Sequence, residues 1–499
     1  MNGSRPTPSA PGQDVAGLRR LALAVVQPGF TGLTAPDWLL RRLDEGLGGV
    51  ALFARNIASP DQLAALTSAI HEANPAALVA VDEEGGDVTR LEYRTGSSWP
   101  GNLALGTVDD VDLTRSVAGE IGTALADVGI DLDYAPDADV NVEASNPVIG
   151  VRSFGSDAAL VARHTAAWVQ GLQSAGVLAC AKHFPGHGGT RVDSHLGLPE
   201  VDLGDDPTTS PALDPFRAAV AAGTAAVMSG HLRVTGLDPR PATLVPAVMT
   251  GLLRDHLGFT GLAVSDGLEM GAVADTAGLA SGAVQAVAAG VDALCIGGGL
   301  AGADTLDLVV AALIDGVHDG RLGEERLAEA AARVTTASVL RNSLRENATR
   351  ASAGAPAGLA AAARGLAVRG TPGVRPERPV VAELVAAGNI AVGDETASGL
   401  AAAVRRRWPD TPLCHLTEGA DLDAALAAAV DRPMWVVVRD PHRHRWMAEL
   451  VAAIVRRRPD VVVIDTGWPG WSPPEPAVHV ITHGASRASG EAVVRLLAP

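Results

Sequence analysis

Lys182-His-Phe-Pro-Gly-His-Gly-Gly-Thr-Arg-Val-Asp-Ser-His-Leu-Gly-Leu-Pro199 places one lysine, three histidines and an aspartate among four glycines and two prolines. Proline removes a backbone donor and glycine weakens regular structure, so neither a helix nor a central strand runs through most of this stretch. Its chemistry-bearing side chains therefore sit on a loop. The run before it, Gly176-Val-Leu-Ala-Cys-Ala181, is short and apolar and reads as a buried strand. In a parallel α/β protein, active sites collect where a buried strand ends in a polar loop.

Outward from that loop, the same alternation recurs. Strands are expected at Leu21–Gln27, Gly49–Phe53, Leu78–Asp82, Leu132–Ala135, Val177–Lys182, Ala226–Ser229, Gly261–Ser265 and Ala293–Ile296. Helical periodicity fills Pro60–Glu72, Asp112–Val128, Ala158–Ala175, Pro215–Gly223, Pro246–Leu257 and Gly282–Gly290, and a helix from Gly323 to about Leu344 closes the region. Eight strands with intervening helices fit a (β/α)8 TIM-type barrel. The expected division is a flexible tail over 1–18, the barrel over 19–346, an Ala/Gly/Pro-rich linker over 347–376 and a smaller αβα sandwich over 377–499. In the sandwich, strands are expected at Pro379–Val381, Asn389–Gly393, Pro433–Arg439, Asp460–Asp465 and Ala477–Thr482, and helices at Ser398–Arg407, Arg445–Arg458 and Gly490–Leu497. No Gly-x-Gly-x-x-Gly opens a helix there, so no nucleotide site is expected.

A hydrophobic fraction of 47% with 19% charged residues describes a globular chain with a large core, and the net charge of −18 argues against nucleic acid and anionic membranes. A small neutral substrate meets no such repulsion. Cys180, Cys295 and Cys414 form no CxxC pair and read as packing residues in a reducing compartment. Residues 1–17 lack the basic and apolar regions of an export signal, so a cytoplasmic location is expected.

Five strand-end loops carry chemistry. In Asp193-Ser194-His195 a carboxylate two residues from an imidazole can hold the ring in one tautomer and stabilise its charged form, which suits a general acid/base, although a solvated loop histidine is the bland alternative. Val264-Ser265-Asp266 ends an apolar run in an acid that either points into the barrel mouth, as nucleophile, base or ligand, or caps the next helix. Val81-Asp-Glu-Glu-Gly-Gly-Asp-Val-Thr-Arg90 offers Asp82 to sugar hydroxyls and Arg90 as a forked donor; three adjacent acids also suit a hard cation, or form only a solvated turn. Arg152 is the only charge in Asn146–Gly155, and His231 follows a strand, where a hydrogen-bonded structural role is the alternative to lining the site. His183, His187 and His195 do not match a zinc-binding HExxH helix and Lys182 would oppose a cation, so no metal is expected.

Taken together, DEEGGDVTRL, NPVIGVRSFG, KHFPGHGGTRVDSHLGLP, PATLVP and SDGLEMGAV, in that order between Leu21 and Leu344, resemble glycoside hydrolase family 3 and within it the bacterial β-N-acetylglucosaminidase branch. The C-terminal part is similar to the family's second domain only in outline. The resemblance implies a retaining double displacement in which Asp266 is the nucleophile, His195 the acid/base and Asp193 its partner. It also implies that Asp82, Arg90, Arg152, Lys182, His183, His231 and Met270 contact the sugar, and that no cofactor is needed. Two positions depart from the pattern: Gly267 and Gly189 stand where many relatives carry Asp. They bear on the choice between N-acetylglucosamine (GlcNAc) and glucose.

The expectation is thus a cytoplasmic exo-β-N-acetylglucosaminidase acting on chitooligosaccharides or muropeptide fragments, as monomer or homodimer. A phosphorylase or dual glucosidase is the alternative within the enzyme class, since an imidazole acid leaves the acceptor side less negative for phosphate. A sugar-binding protein without catalysis is the alternative outside it.

Overall fold

The computed structural model describes residues 11–498 apart from 196, 299–301, 352–355, 371–377, 387–398, 428 and 476–477. Eight parallel strands curl into the first sheet: β1 Val26–Pro28, β2 Gly49–Ala51, β3 Leu78–Val81, β4 Leu132–Asp133, β5 Leu178–Phe184, β6 Ala226–Ser229, β7 Leu262–Ser265 and β8 Leu294–Ile296. β2 to β7 pair in sequence order, the single bridge Val264–Ala293 joins β7 to β8, and β8 pairs with β1. β1 lies beside β2 without a shared ladder among the described residues. Every residue of these strands is buried, as expected of parallel strands covered on both faces.

Helices cover the outside: α1 Pro11–Ala24, α2 Pro60–Ala73, α3 Val111–Asp127, α4 Ala158–Ser174, α5 Asp214–Ala221, α6 Leu279–Ala289, α7 Ala303–His318 and α8 Glu324–Glu346. Their starts follow local capping chemistry: Ser59, Asp110 and Asp157 each accept a hydrogen bond from the backbone N–H three residues on. The segment Ala247–His256 winds more widely, with bonds reaching five residues back.

The structure corrects the first expected strand. Leu21–Ala24 ends α1, and the strand begins only at Val26. Leu18, Ala22 and Leu23 are buried while Arg20 is exposed, a helical rather than alternating pattern that a six-residue apolar window hides.

The second sheet contains β9 Ala367–Arg369, β10 Val380–Leu384, β11 Leu413–Leu416, β12 Met434–Val438, β13 Val462–Asp465 and β14 Val478–Ile481, in spatial order β9-β14-β13-β12-β10-β11. All pair in parallel except β9 with β14. Helices α9 Pro356–Arg364, α10 Gly399–Arg407, α11 Arg445–Arg457 and α12 Arg487–Leu497 accompany it. The strand expected at Asn389–Gly393 lies outside the described residues.

The two sheets present their carboxyl ends to each other. Asp87, in the loop after β3, accepts the Ala485 N–H at 2.6 Å and pairs with Arg439 after β12. Arg487 pairs with Glu92 and donates to Gly96 O at 3.1 Å. α9 is tied to the barrel through Glu120, which accepts the Ala357 N–H at 2.8 Å and the Trp99 indole N–H at 3.1 Å. No helix among the described residues is long and apolar enough to cross a membrane.

Candidate active site

The barrel mouth holds a cavity of about 440 Å3. Asp266 reaches it from the carboxyl end of β7, and its carboxylate accepts the Gly267 N–H at 2.8 Å. Burial works against its charge, but the imidazoles of His231, His183 and His195 and the Gly267 N–H outweigh it, holding Asp266 down at about 2. It is an ionised carboxylate facing the cavity, which is the state a nucleophile needs.

His195 reaches the same cavity from the long β5 loop. Its ring Nδ1 lies 2.7 Å from Asp193 Oδ1, which also accepts the His195 backbone N–H at 2.9 Å. That fixes the ring and leaves Nε2 as the free nitrogen. Burial alone would lower the histidine pKa; the Asp193 hydrogen bond and the Asp266 and Asp193 charges overcome it and raise it. The same contact depresses Asp193 against its own burial.

The base of the loop is braced from below. Asp139, two residues beyond the Asp137 that follows β4, lies 2.7 Å from His183 Nδ1 and accepts the His187 N–H at 2.5 Å. His187 is buried and kept neutral, its pKa pushed down to about 4 chiefly by burial, and its Nε2 faces Ser194 Oγ at 3.2 Å. His187 therefore links the start of the loop to the residue between Asp193 and His195. Gly188 is required where it stands, because a Cβ there would lie 2.0 Å from Val140 O.

The opposite wall is a buried ion network. Lys182 Nζ is 2.6 Å from both Asp82 Oδ1 and Glu84 Oε1, and Arg152 meets Glu84 through two bonds of 2.9 and 2.7 Å. Burial opposes the Glu84 charge, but Arg152 and Lys182 hold its carboxyl far below the usual range, while Asp82 and Glu84 raise Lys182 against its own burial. Arg90 lies 3.9 Å from Asp82. Asp82, Arg90, Arg152, Lys182, His183 and Met270 all line the cavity.

His231 does not. It is fully buried, with Nε2 3.0 Å from Gly267 O and Nδ1 2.8 Å from Thr243 Oγ1, so both ring nitrogens are occupied. Its place is behind the wall, steadying the turn that carries Asp266, and burial lowers its pKa.

Sequence reasoning missed three acids. Glu84 was visible only as one of three adjacent carboxylates. Asp139 sits beyond a strand end in Asp137-Ala-Asp139, a signal that could have been read. Glu269 lines the cavity with Oε1 3.0 Å from the Gly297 N–H and Oε2 buried without a hydrogen-bond partner among the described residues, and burial raises its pKa. Asp137, Asp139 and His183 bring donor atoms within 4.8 Å of one another and are the described residues closest to a metal-binding set. Burial and the Asp139 charge push the Asp137 carboxyl well above the usual range, Arg152 stands 3.9 Å from it, and Asp139 is committed to His183 and His187. A carboxyl biased toward its neutral form beside a guanidinium is a poor cation ligand.

A family model described as "Glycosyl hydrolase family 3 N terminal domain" matches residues 37–337. Among solved structures, a glycoside hydrolase family 3 β-N-acetylglucosaminidase from Paenibacillus sp. str. FPU-7 superposes with a TM-score of 0.84 at 30% identity, covering 96% of each chain. Beta-hexosaminidase A of Pseudoalteromonas piscicida is 34% identical over 322 residues, 59% of this chain and 53% of its own length. A beta-hexosaminidase of Thiobacillus denitrificans is 40% identical over 267 residues, 51% of this chain and 72% of that protein. The chain thus spans about half the length of the Pseudoalteromonas protein.

Proposed function

Since the chain belongs to glycosyl hydrolase family 3, we propose that it is a retaining exo-β-N-acetylglucosaminidase that removes terminal GlcNAc from chitooligosaccharides or muropeptide fragments. The observation that carries the reading is one cavity holding an ionised Asp266 and a His195 kept protonatable by Asp193, beside a fixed network of sugar-sized donors and acceptors. The names of the similar β-N-acetylglucosaminidase and beta-hexosaminidases support it.

In the first step Asp266 forms a bond to the anomeric carbon as the glycosidic C–O bond breaks, and His195 gives its Nε2 proton to the departing oxygen. In the second, neutral His195 takes a proton from water, whose oxygen attacks the anomeric carbon and releases the Asp266 carboxylate. The electrostatics suit this exchange. The Asp266 charge helps to raise His195, and esterification removes that charge, so the imidazole becomes a weaker acid-holding group just when it must act as base.

Asp82, Arg90, Arg152, Lys182 and His183 hold the ring hydroxyls and acetamido oxygen, and Met270 supplies an apolar contact. Their mutual ion pairs set their positions before substrate arrives. The second reading is phosphorolysis: an imidazole in place of a second carboxylate leaves a less negative approach for phosphate. The three cysteines are free and two are buried, which supports a cytoplasmic setting.

Turnover of nitrophenyl β-N-acetylglucosaminide and nitrophenyl β-glucoside, with and without phosphate, tests all of this. Free GlcNAc in every case is the expected product, and GlcNAc 1-phosphate would move the assignment to the phosphorylases. Absence of turnover with sugar binding retained would overturn both.

A further inference from the structure

A second cavity, of about 530 Å3, opens at the carboxyl edge of the second sheet. Its other wall is made by barrel loops: Gly86 and Asp87 after β3, Asn146, Pro147 and Ile149 to Val151 after β4, and Asp193. Val148, Arg152, Ser194 and His195, interleaved with those residues in the chain, line the catalytic cavity. The loops after β4 and β5 thus separate the cavities.

On the second-sheet side the strand order reverses. β11 lies on one side of β10 and β12 on the other, and in open parallel sheets ligands bind outside the carboxyl ends at such a reversal. Glu383 ends β10, Arg439 and Asp440 follow β12, Thr466 follows β13 and Thr482 follows β14; all line the cavity. Two helices start there, α11 behind His444, which makes no side-chain cap, and α12 behind Ser486. Helix starts carry positive partial charge.

The charges in the wall are unequally satisfied. Asp87 holds Arg439 and the Ala485 N–H, Asp440 accepts the Trp468 N–H at 2.7 Å, Glu383 faces His415 at 3.2 Å, and Asp193 holds His195. Arg443 differs. Its closest carboxylate oxygen among the described residues is Asp440 Oδ2, at 3.7 Å and beyond hydrogen-bond reach, and its side chain remains 25% exposed. Among the described residues Arg443 thus keeps donors to spare beside the start of α11, and the cavity offers apolar side chains of Leu384, Val437, Ile464 and Met447 for the body of a ligand. A carboxylate or phosphate answers both the fork of donors and the positive potential; a cation answers neither. The volume lies in the range of small-molecule sites.

We propose that this cavity is a second ligand site, taking a sugar-sized molecule that carries a carboxylate or a phosphate, with Arg443 as its anion contact. Such an anion belongs either to the leaving part of a substrate held in the catalytic cavity, which rests on the glycosidase reading, or to a separate small molecule.

Isothermal titration of the full chain with GlcNAc 6-phosphate, N-acetylmuramic acid and neutral GlcNAc tests the site without requiring turnover. The two anionic sugars are expected to bind more tightly than GlcNAc, and Arg443→Ala to weaken them about tenfold or more while leaving GlcNAc binding in place. Arg443→Lys should restore part of the loss, and an unchanged melting temperature excludes misfolding as its cause. Anionic sugars that bind no tighter than GlcNAc, or binding indifferent to Arg443→Ala in the folded variant, would overturn the site. The source is then read from turnover. Selective loss of kcat/KM on GlcNAc β-1,4-linked to N-acetylmuramic acid, relative to diacetylchitobiose, assigns the anion to the leaving sugar; an unchanged ratio with binding lost assigns it to a separate effector. Lack of any hydrolysis would count against the glycosidase reading alone, since the titration stands apart from it.

Discussion

Replacing Asp193 with Asn keeps the oxygen that accepts the His195 backbone N–H at 2.9 Å and removes the charge facing Nδ1 at 2.7 Å. The substitution therefore isolates electrostatics from loop geometry. A hydrogen bond to a charged group is worth about 1.5–3 kcal/mol, so removing the Asp193 charge should lower the His195 pKa. Side-chain exposures of 27% for His195 and 9% for Asp193 place the pair partly within reach of solvent screening, which favours the lower half of that range. The sign follows from the direction of the shift. His195 is raised in the intact site, so at a given pH more of it is imidazolium than after the Asp193 charge is removed, and the variant holds less of the acid. The basic limb of kcat/KM against pH on diacetylchitobiose should move to lower pH, and the rate at pH 7 should fall about tenfold or more. On 2,4-dinitrophenyl β-N-acetylglucosaminide, whose leaving group needs no proton, glycosylation should change far less. A basic limb that stays in place, or equal losses on both substrates, would refute the role given to Asp193.

Glu84→Gln should leave Arg152 and Lys182 buried without their shared carboxylate and destabilise the fold by about 3–5 kcal/mol, read as a lowered urea midpoint; an unchanged midpoint would mean the network bears no such load. Gly188→Ala and Gly189→Ala make a paired test, because a Cβ meets Val140 O at 2.0 Å in the first and nothing nearer than Val142 Cγ2 at 3.6 Å in the second. The first should lose activity and thermal stability while the second stays near wild type, and equal tolerance would contradict the packing of the loop. With Asp266 held at about 2, its carboxylate is ionised above that pH, so kcat/KM should show no acid limb between pH 4 and 6 while the protein stays folded. A limb in that window would show the nucleophile to be another group.

The strands were legible because a parallel sheet covered on both faces needs short, wholly apolar runs, and β6 and β7 stand almost residue for residue where such runs occur. The loop from Lys182 to Pro199 was legible because proline and glycine exclude regular structure around its polar groups. α1 was misread because six apolar residues are too few to separate a helical from an alternating period. β11 passed unnoticed because it is an edge strand whose Leu413, Cys414 and His415 are only partly covered, so its sequence lacks the buried signature. The acids of the site were least visible. Glu84 acts through Arg152, 68 residues on, and Asp139 through His183, 44 residues on, pairings that only the closed barrel creates. For His231 the sequence left two roles open, and the contact with Gly267 O selects the structural one.

The central claim is a covalent bond between substrate and Asp266. Incubation with a 5-fluoro β-N-acetylglucosaminyl fluoride, which departs readily but is released slowly, followed by mass analysis of the intact chain and its peptides, tests it most directly. One added sugar, located on Asp266 and absent in Asp266→Ala, is expected. A label on another residue, or turnover that persists in Asp266→Ala, would contradict it.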